Sequence, residues 1–190
     1  FLVRAFKTHR RWLYALAGFF FGLGFYTYNA FMIAPLMILG LFIVVWLTEG
    51  RSFLGQWTNA LSFALVALYT AIPLARYIYD DPRSYIYRAG TRITNMEKEM
   101  PGHLLRVFLS NLRKTFLMFN YRGDNVFASN IPGHRQLAFW AATLFVLGLA
   151  YLLWHWRQGY NGMVIVTLFV MLLPSSLALA FPNEVPGAIR

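Results

Sequence analysis

Cysteine is absent from this 190-residue chain, which excludes disulfides, thiolate zinc sites and thiol catalysis. Acidic residues are scarce, 7 Asp and Glu against 17 Lys and Arg, giving a net charge of +10. Such a balance invites a nucleic-acid reading. It is excluded because the basic residues are dispersed between long apolar segments rather than gathered on one face. No low-complexity tract and no internal repeat occurs, so the chain is not a repeat array. His103 and His134 have no partners at metal-ligand spacing, so no metal ligand is assigned. Also missing are an initiating Met and a basic-then-apolar leader. With Phe1 first and Arg190 last, just after a hydrophobic segment, the chain is expected to be an internal piece of a longer protein.

The most informative absence is local. Residues 12–48 contain no Lys, Arg, Asp, Glu or His. As one straight helix they would reach roughly 55 Å, nearly twice the ~30 Å hydrocarbon core of a bilayer, so a hairpin is required. Tyr26, Thr27, Tyr28 and Asn29 mark the reversal, and Pro35 lies near the start of the second arm. What is present agrees: 58% hydrophobic and 18% aromatic residues exceed the needs of a soluble core this size. The expected fold class is all-α, a polytopic transmembrane bundle with spans at about 12–28, 31–48, 57–79, 137–155 and 161–181. Residues 80–136 form one long, partly helical outer loop. Trp12, Trp46, Trp57, Tyr77, Tyr79, Trp154 and Tyr160 cluster near the span ends, where amphipathic rings meet headgroups.

Positive charge retained on the cytoplasmic side orients the spans. Arg4, Lys7, Arg10 and Arg11 precede the first, Arg51 follows the second, and His155 with Arg157 follows the fourth. The turn at 26–29, the segment 80–135 and residues 182–190 then share the outer face. In 80–135, Lys and Arg outnumber Asp and Glu on a side where orientation does not require them. An anionic partner at the membrane, phosphate foremost, suits that excess.

Asp81-Pro82 reads as an N-cap followed by Pro at the first helical position, predicting a helix over 83–95. Arg88 and Arg92 share one face of it and are spaced to grip one phosphate; ordinary solvated arginines are the competing reading. Asp80 and Asp81 leave a divalent metal open as a cofactor, although a cap and a surface charge also account for them. After Met100-Pro101-Gly102, residues 103–119 show helical periodicity. Leu104, Leu105, Phe108, Leu109, Leu112, Phe116 and Phe119 are expected on one face and His103, Arg106, Ser110, Arg113 and Lys114 on the other, the pattern of a helix in the membrane interface.

Three stretches carry a family resemblance. The first is Gly18-Phe-Phe-Phe-Gly22-Leu-Gly24-Phe-Tyr26-Thr27-Tyr28, a glycine-rich span ending in Tyr-Thr-Tyr. The second is Phe119-Asn120-Tyr121-Arg122-Gly123-Asp124 with Asn130-Ile131-Pro132-Gly133, ahead of a Leu-Phe-x-x-Gly-Leu span over 144–149. The third is Asn183-Glu184-Val185-Pro186-Gly187-Ala188-Ile189-Arg190, with Pro and Arg four apart. In order and topology these resemble the polytopic GT-C glycosyltransferases of the protein O-mannosyltransferase and aminoarabinose transferase group. Gly187 stands where relatives often have His, and Arg135 where Pro is expected.

The resemblance implies a single transmembrane glycosyltransferase domain over 1–190 that moves a sugar, with inversion, from a polyprenyl-phosphate donor to a lipid, protein or glycan acceptor. The reaction would occur at the outer face of a prokaryotic plasma membrane. It also implies a catalytic carboxylate in an earlier outer loop outside this chain, so no residue here is assigned as the catalytic base and no activity is expected from the chain alone. Substrate-binding candidates are Arg190, Arg122 and Arg88 for the phosphate, with Asp124, Asn130 and Glu184 for sugar hydroxyls or for placing the arginines. Loop-ordering salt bridges are the alternative role for each. The alternative function is a transporter or flippase of a lipid-linked or anionic solute, which would call for ionisable residues at mid-membrane. A structural membrane subunit is a third.

Overall fold

The computed structural model describes residues 1–27, 29–50, 55, 57–94, 99, 101–123, 125, 131–158, 160–183 and 185, with the side chains of Asn29, Ile86, Arg88 and Ala89 left outside the description. All regular secondary structure among the described residues is helical, in agreement with an all-α chain. The chain divides into two compact units, Phe1–Ile86 and Tyr87–Arg190.

In the first unit, a short helix α1 (Leu2–Thr8) folds onto α2 (Arg11–Gly24), and His9 reverses the chain between them at φ 53°. A 3-10 segment (Asn29–Ile33) leads into α3 (Ala34–Glu49), and α4 covers Trp57–Asp80. The hairpin required by residues 12–48 is present. Phe42 of α3 meets Phe6 of α1, whereas Phe31, at the other end, meets Phe25 just after α2. Helix α4 then runs parallel to α2, because their contacts advance together: Arg11 Nε donates to Ser62 Oγ at 2.6 Å, and Gly18 lies against the Phe63 carbonyl. A Cβ on Gly22 would come within 2.7 Å of Ala67 O. The Gly18-x-x-x-Gly22 spacing thus serves close backbone approach, as small residues do between apolar helices.

Helix α4 contains Pro73, which has no N–H to give and whose ring crowds the carbonyl of residue 69. One turn away, the Tyr26 hydroxyl donates to Thr70 O at 2.8 Å and accepts from Leu74 N at 3.2 Å. In a regular helix those two groups would pair with each other. The first residue of the expected reversal therefore mends the break in α4.

Among the described residues, two helices are long and apolar enough to cross a membrane: the continuous helical stretch Ala30–Glu49 of 20 residues and α4 of 24, about 30 and 36 Å at 1.5 Å per residue. The other three expected spans correspond to shorter helices, α2 of 14 residues and, in the second unit, two of 16. Local chemistry explains two of the stops. Thr27 Oγ1 donates back to Gly24 O at 2.6 Å and closes α2 into a turn. The final helix carries Pro174 and ends at Ser176, two residues on.

The division at 86/87 falls within α5 (Pro82–Ile93), which starts as the sequence predicts. Ser84 N donates to Asp81 Oδ1 at 3.2 Å and Ser84 Oγ donates to Asp81 Oδ2, so Asp81 caps the helix whose first residue is Pro82. These bonds from Ser84, with a smaller contribution from Arg83, hold the exposed Asp81 carboxyl below the usual carboxylate range.

The second unit is built on α6 (Leu104–Leu117), α7 (Phe139–Trp154) and α8 (Asn161–Ser176). Helices α7 and α8 pack together as a hairpin. Their connection is tied by Asn161 Nδ2 donating to His155 O at 3.0 Å. Helix α6 crosses the opposite end of this hairpin. Its Asn111 reaches past the end of α8, its Phe116 meets Phe169 of α8, and Phe119, just beyond it, packs on Phe145 of α7.

The two-faced pattern expected of residues 103–119 needs correction. The stripe of α6 that is buried is Val107, Asn111 and Thr115, two of them polar. Leu104, Leu105 and Leu109 stay exposed. Three or four residues apart is one helical turn, so a third face exists beside the apolar and basic ones. It is buried because Asn111 and Thr115 have partners on α8. Asn111 Nδ2 donates to Ser176 O at 3.3 Å and to Ala178 O at 3.1 Å, and Ser176 Oγ lies 3.4 Å from Thr115 Oγ1. Asn111 thereby caps carbonyls that α8 leaves open at its end. Its own Oδ1 is buried and has no donor among the described residues.

Candidate functional site

Past Leu117, the chain makes a turn in which Tyr121 N and Arg122 N both donate to Leu117 O, at 2.8 and 3.2 Å. The chain returns at Ile131-Pro132-Gly133-His134, where His134 N donates to Ile131 O at 3.0 Å. Pro at the second position and Gly at the third, the latter at φ 74°, is the signature of a type II turn. The turn presents His134 O to Gly123 N at 3.0 Å. Next along, Gln136 N and Leu137 N donate to Met118 O and Phe119 O, at 2.9 and 3.1 Å, and the chain enters α7. Gly133 lies against Arg122: a Cβ there would sit 3.5 Å from Arg122 Nε, and its positive φ disfavours any side chain.

Against this turn lies a pocket of about 300 Å3, lined from α6 by Ser110, Arg113, Lys114 and Leu117, from the turn by residues 121–123 and 125, and from the segment after α8 by Asn183 and Val185. That volume is at the lower end of small-molecule sites. Arg113, Lys114 and Arg122 bring three positive charges to it, and none of the described lining residues is a carboxylate. Lys114 Nζ is fixed by donating to Pro182 O at 2.6 Å. An ammonium has three donors and a guanidinium five, so the three side chains keep N–H groups to offer an anion. Asn125, Asn183, Ser110 and Tyr121 add neutral groups of the kind that hydrogen-bond hydroxyls. The end of α6 contributes the carbonyl pole of its dipole, which favours cations, so anion binding here rests on the side chains.

Of the six expected site residues, Arg122 lines this pocket. Arg88 belongs to α5, with its side chain outside the description, and Asp124, Asn130, Glu184 and Arg190 lie outside the described residues. Arg92, expected to share a phosphate with Arg88, places its guanidinium 4.1 Å from the centre of the Phe181 ring, and its carbonyl accepts from Ala180 N at 3.1 Å. Arg113 and Lys114 were expected only on the basic face of an interfacial helix. Their signal was present in the spacing: Ser110, Arg113, Lys114 and Leu117 follow i, i+3, i+4 and i+7, and that line leads directly into Tyr121 and Arg122. Among the described residues no cluster of three or more His, Asp or Glu is placed to hold a metal. In comparisons with known proteins, no family model, curated protein or solved structure matches the chain.

Proposed function

We propose that the protein is an integral membrane glycosyltransferase, a five-span bundle taking its sugar from a polyprenyl phosphate at the outer face of a prokaryotic plasma membrane. Three cations converging on one small pocket, with amide and hydroxyl groups beside them, carry this reading. The two long apolar helices support the membrane part of it. In the reaction the bond from the anomeric carbon to the phosphate oxygen breaks, and the acceptor oxygen bonds to that carbon from the opposite side. The acceptor proton goes to a base, and the polyprenyl phosphate leaves with the bonding pair. Negative charge grows on that phosphate, and Arg113, Lys114 and Arg122 are held where they can stabilise it. Asn125 and Asn183 suit the sugar hydroxyls. The base is a separate group, because none of the described lining residues is a carboxylate.

The test is transfer of labelled sugar from a panel of polyprenyl-phosphate donors by the full-length protein that carries this chain, in membranes, comparing wild type with Arg122→Ala and Arg113→Ala at matched expression. The expected result is a loss of roughly 100-fold or more in each variant, the scale for removing a preorganised charge from a developing anion. Undiminished transfer in both would remove the pocket from the reaction. Wild type inactive with every donor would overturn the enzyme reading and favour transport of a lipid-linked or anionic solute.

A further inference from the structure

Helix α6 has three faces at about 100° per residue. Val107, Asn111 and Thr115 pack on α8; Ser110, Arg113, Lys114 and Leu117 line the pocket; Leu105, Leu109, Leu112 and Phe116 make the third. On this third face Leu105 is 56% and Leu109 53% exposed, too large and too regular a pair of contacts to leave in water. Its border with the pocket face is Arg106 and Arg113, and from Leu104 to Leu117 the helix has three cations and no acid. It also lies across the one end of the α7–α8 hairpin at which the chain enters α7 and leaves α8.

We infer that α6 lies in the plane of an anionic membrane surface, with Leu105 and Leu109 at the acyl boundary and Arg106 and Arg113 among the headgroups. An apolar stripe edged by cations is the composition such helices use, and anionic lipid adds about 1 kcal/mol for each basic side chain near the surface. The occupant is a lipid surface rather than a protein, because cations and no acid edge the stripe, and because α7 exposes Phe139, Trp140, Leu144 and Leu147 as a membrane-crossing helix would. The pocket then opens at headgroup depth, where a lipid-borne phosphate arrives. The inference rests on the reading that α7 and α8 cross the bilayer.

The absence of cysteine permits single-cysteine spin labelling without background. Labels at Leu105→Cys, Leu109→Cys, Arg106→Cys and, on α7, Leu147→Cys are read in nanodiscs by collision with oxygen, which concentrates in hydrocarbon, and with a nickel chelate, which stays in water. The expected pattern is oxygen-dominated at 105, 109 and 147 and nickel-dominated at 106, with the 105 and 109 labels moving deeper when phosphatidylglycerol replaces phosphatidylcholine. A 147 label in hydrocarbon with 105 and 109 in water would overturn the inference and leave the spanning helices standing. Labels at 105 and 109 shielded from both reagents would mean a protein covers the face, which also overturns it. Depth independent of headgroup charge would refute the role given to Arg106 and Arg113. A 147 label in water would remove the spanning reading, and the inference with it.

Discussion

Asn111→Leu is the sharpest test of how the second unit holds together. Asn111 is fully buried, and its amide donates two hydrogen bonds, to Ser176 O and Ala178 O. Leucine has nearly the same shape and no donor. The Ser176 carbonyl loses the partner the structure gives it across the helices, and a buried unsatisfied carbonyl costs about 1–3 kcal/mol. Ala178 O keeps Phe181 N at 3.3 Å and so loses only one bond, worth about 1 kcal/mol net. Against this, the substitution removes the Asn111 Oδ1 that has no donor among the described residues, returning about 1–3 kcal/mol. At mid-range the return offsets the open carbonyl, leaving a destabilisation of about 1 kcal/mol, confined to the junction of α6 and α8. Hydrogen exchange of the amides at 177–181, read by mass spectrometry on the protein in nanodiscs, should speed up by about 5-fold if local opening governs it. Asn111→Asp should be worse, since it points carboxylate oxygens at two carbonyls. Exchange unchanged in the leucine variant, or an aspartate variant milder than the leucine one, would refute the capping role.

Two further outcomes are expected. Gly18→Ala places a methyl against the Phe63 carbonyl and should cost about 1–3 kcal/mol in thermal unfolding, whereas Gly148→Ala, with nothing within 4 Å of the added Cβ, should be neutral or stabilise α7 by about 0.5–1 kcal/mol; equal tolerance of the two would dismiss the close α2–α4 approach. Asp81 has a folded pKa below its unfolded value near 3.9, so its cap is fully effective above that value and is lost as pH falls through the lower folded pKa. The Ser84 amide resonance should titrate in that acid window in wild type and stay flat in Asp81→Asn.

Much of the helix pattern was legible because it follows from local rules. An uncharged run too long for one crossing had to fold back, and Asp81-Pro82 had to start a helix. Gly18 and Gly22, four apart, marked the face of α2 that meets α4. What could not be read was the partner of each face. Asn111 and Thr115 look like polar positions of an amphipathic helix, and only the end of α8 makes them core. The spacing that pairs Arg92 with Arg88 gave no sign of the contact Arg92 makes with Phe181, a residue far away in sequence. The pocket was half legible: Arg122 stood out through the turn around it, while Arg113 and Lys114 were indistinguishable from headgroup contacts until Pro182, Asn183 and Val185 closed the other wall.

The hydroxyl of Tyr26 carries a consequence for sequence tolerance. Because one oxygen serves as both donor and acceptor across a proline break, the side chain behaves as a spliced-in segment of α4's backbone rather than as part of its own turn. Phenylalanine would fit the space and fail the task, leaving an amide and a carbonyl without the partner the structure gives them. Restoring the ladder by exchanging Pro73 for alanine would make the same hydroxyl redundant. Positions 26 and 73 are therefore coupled, and a chain that loses one half of the pair has reason to lose the other.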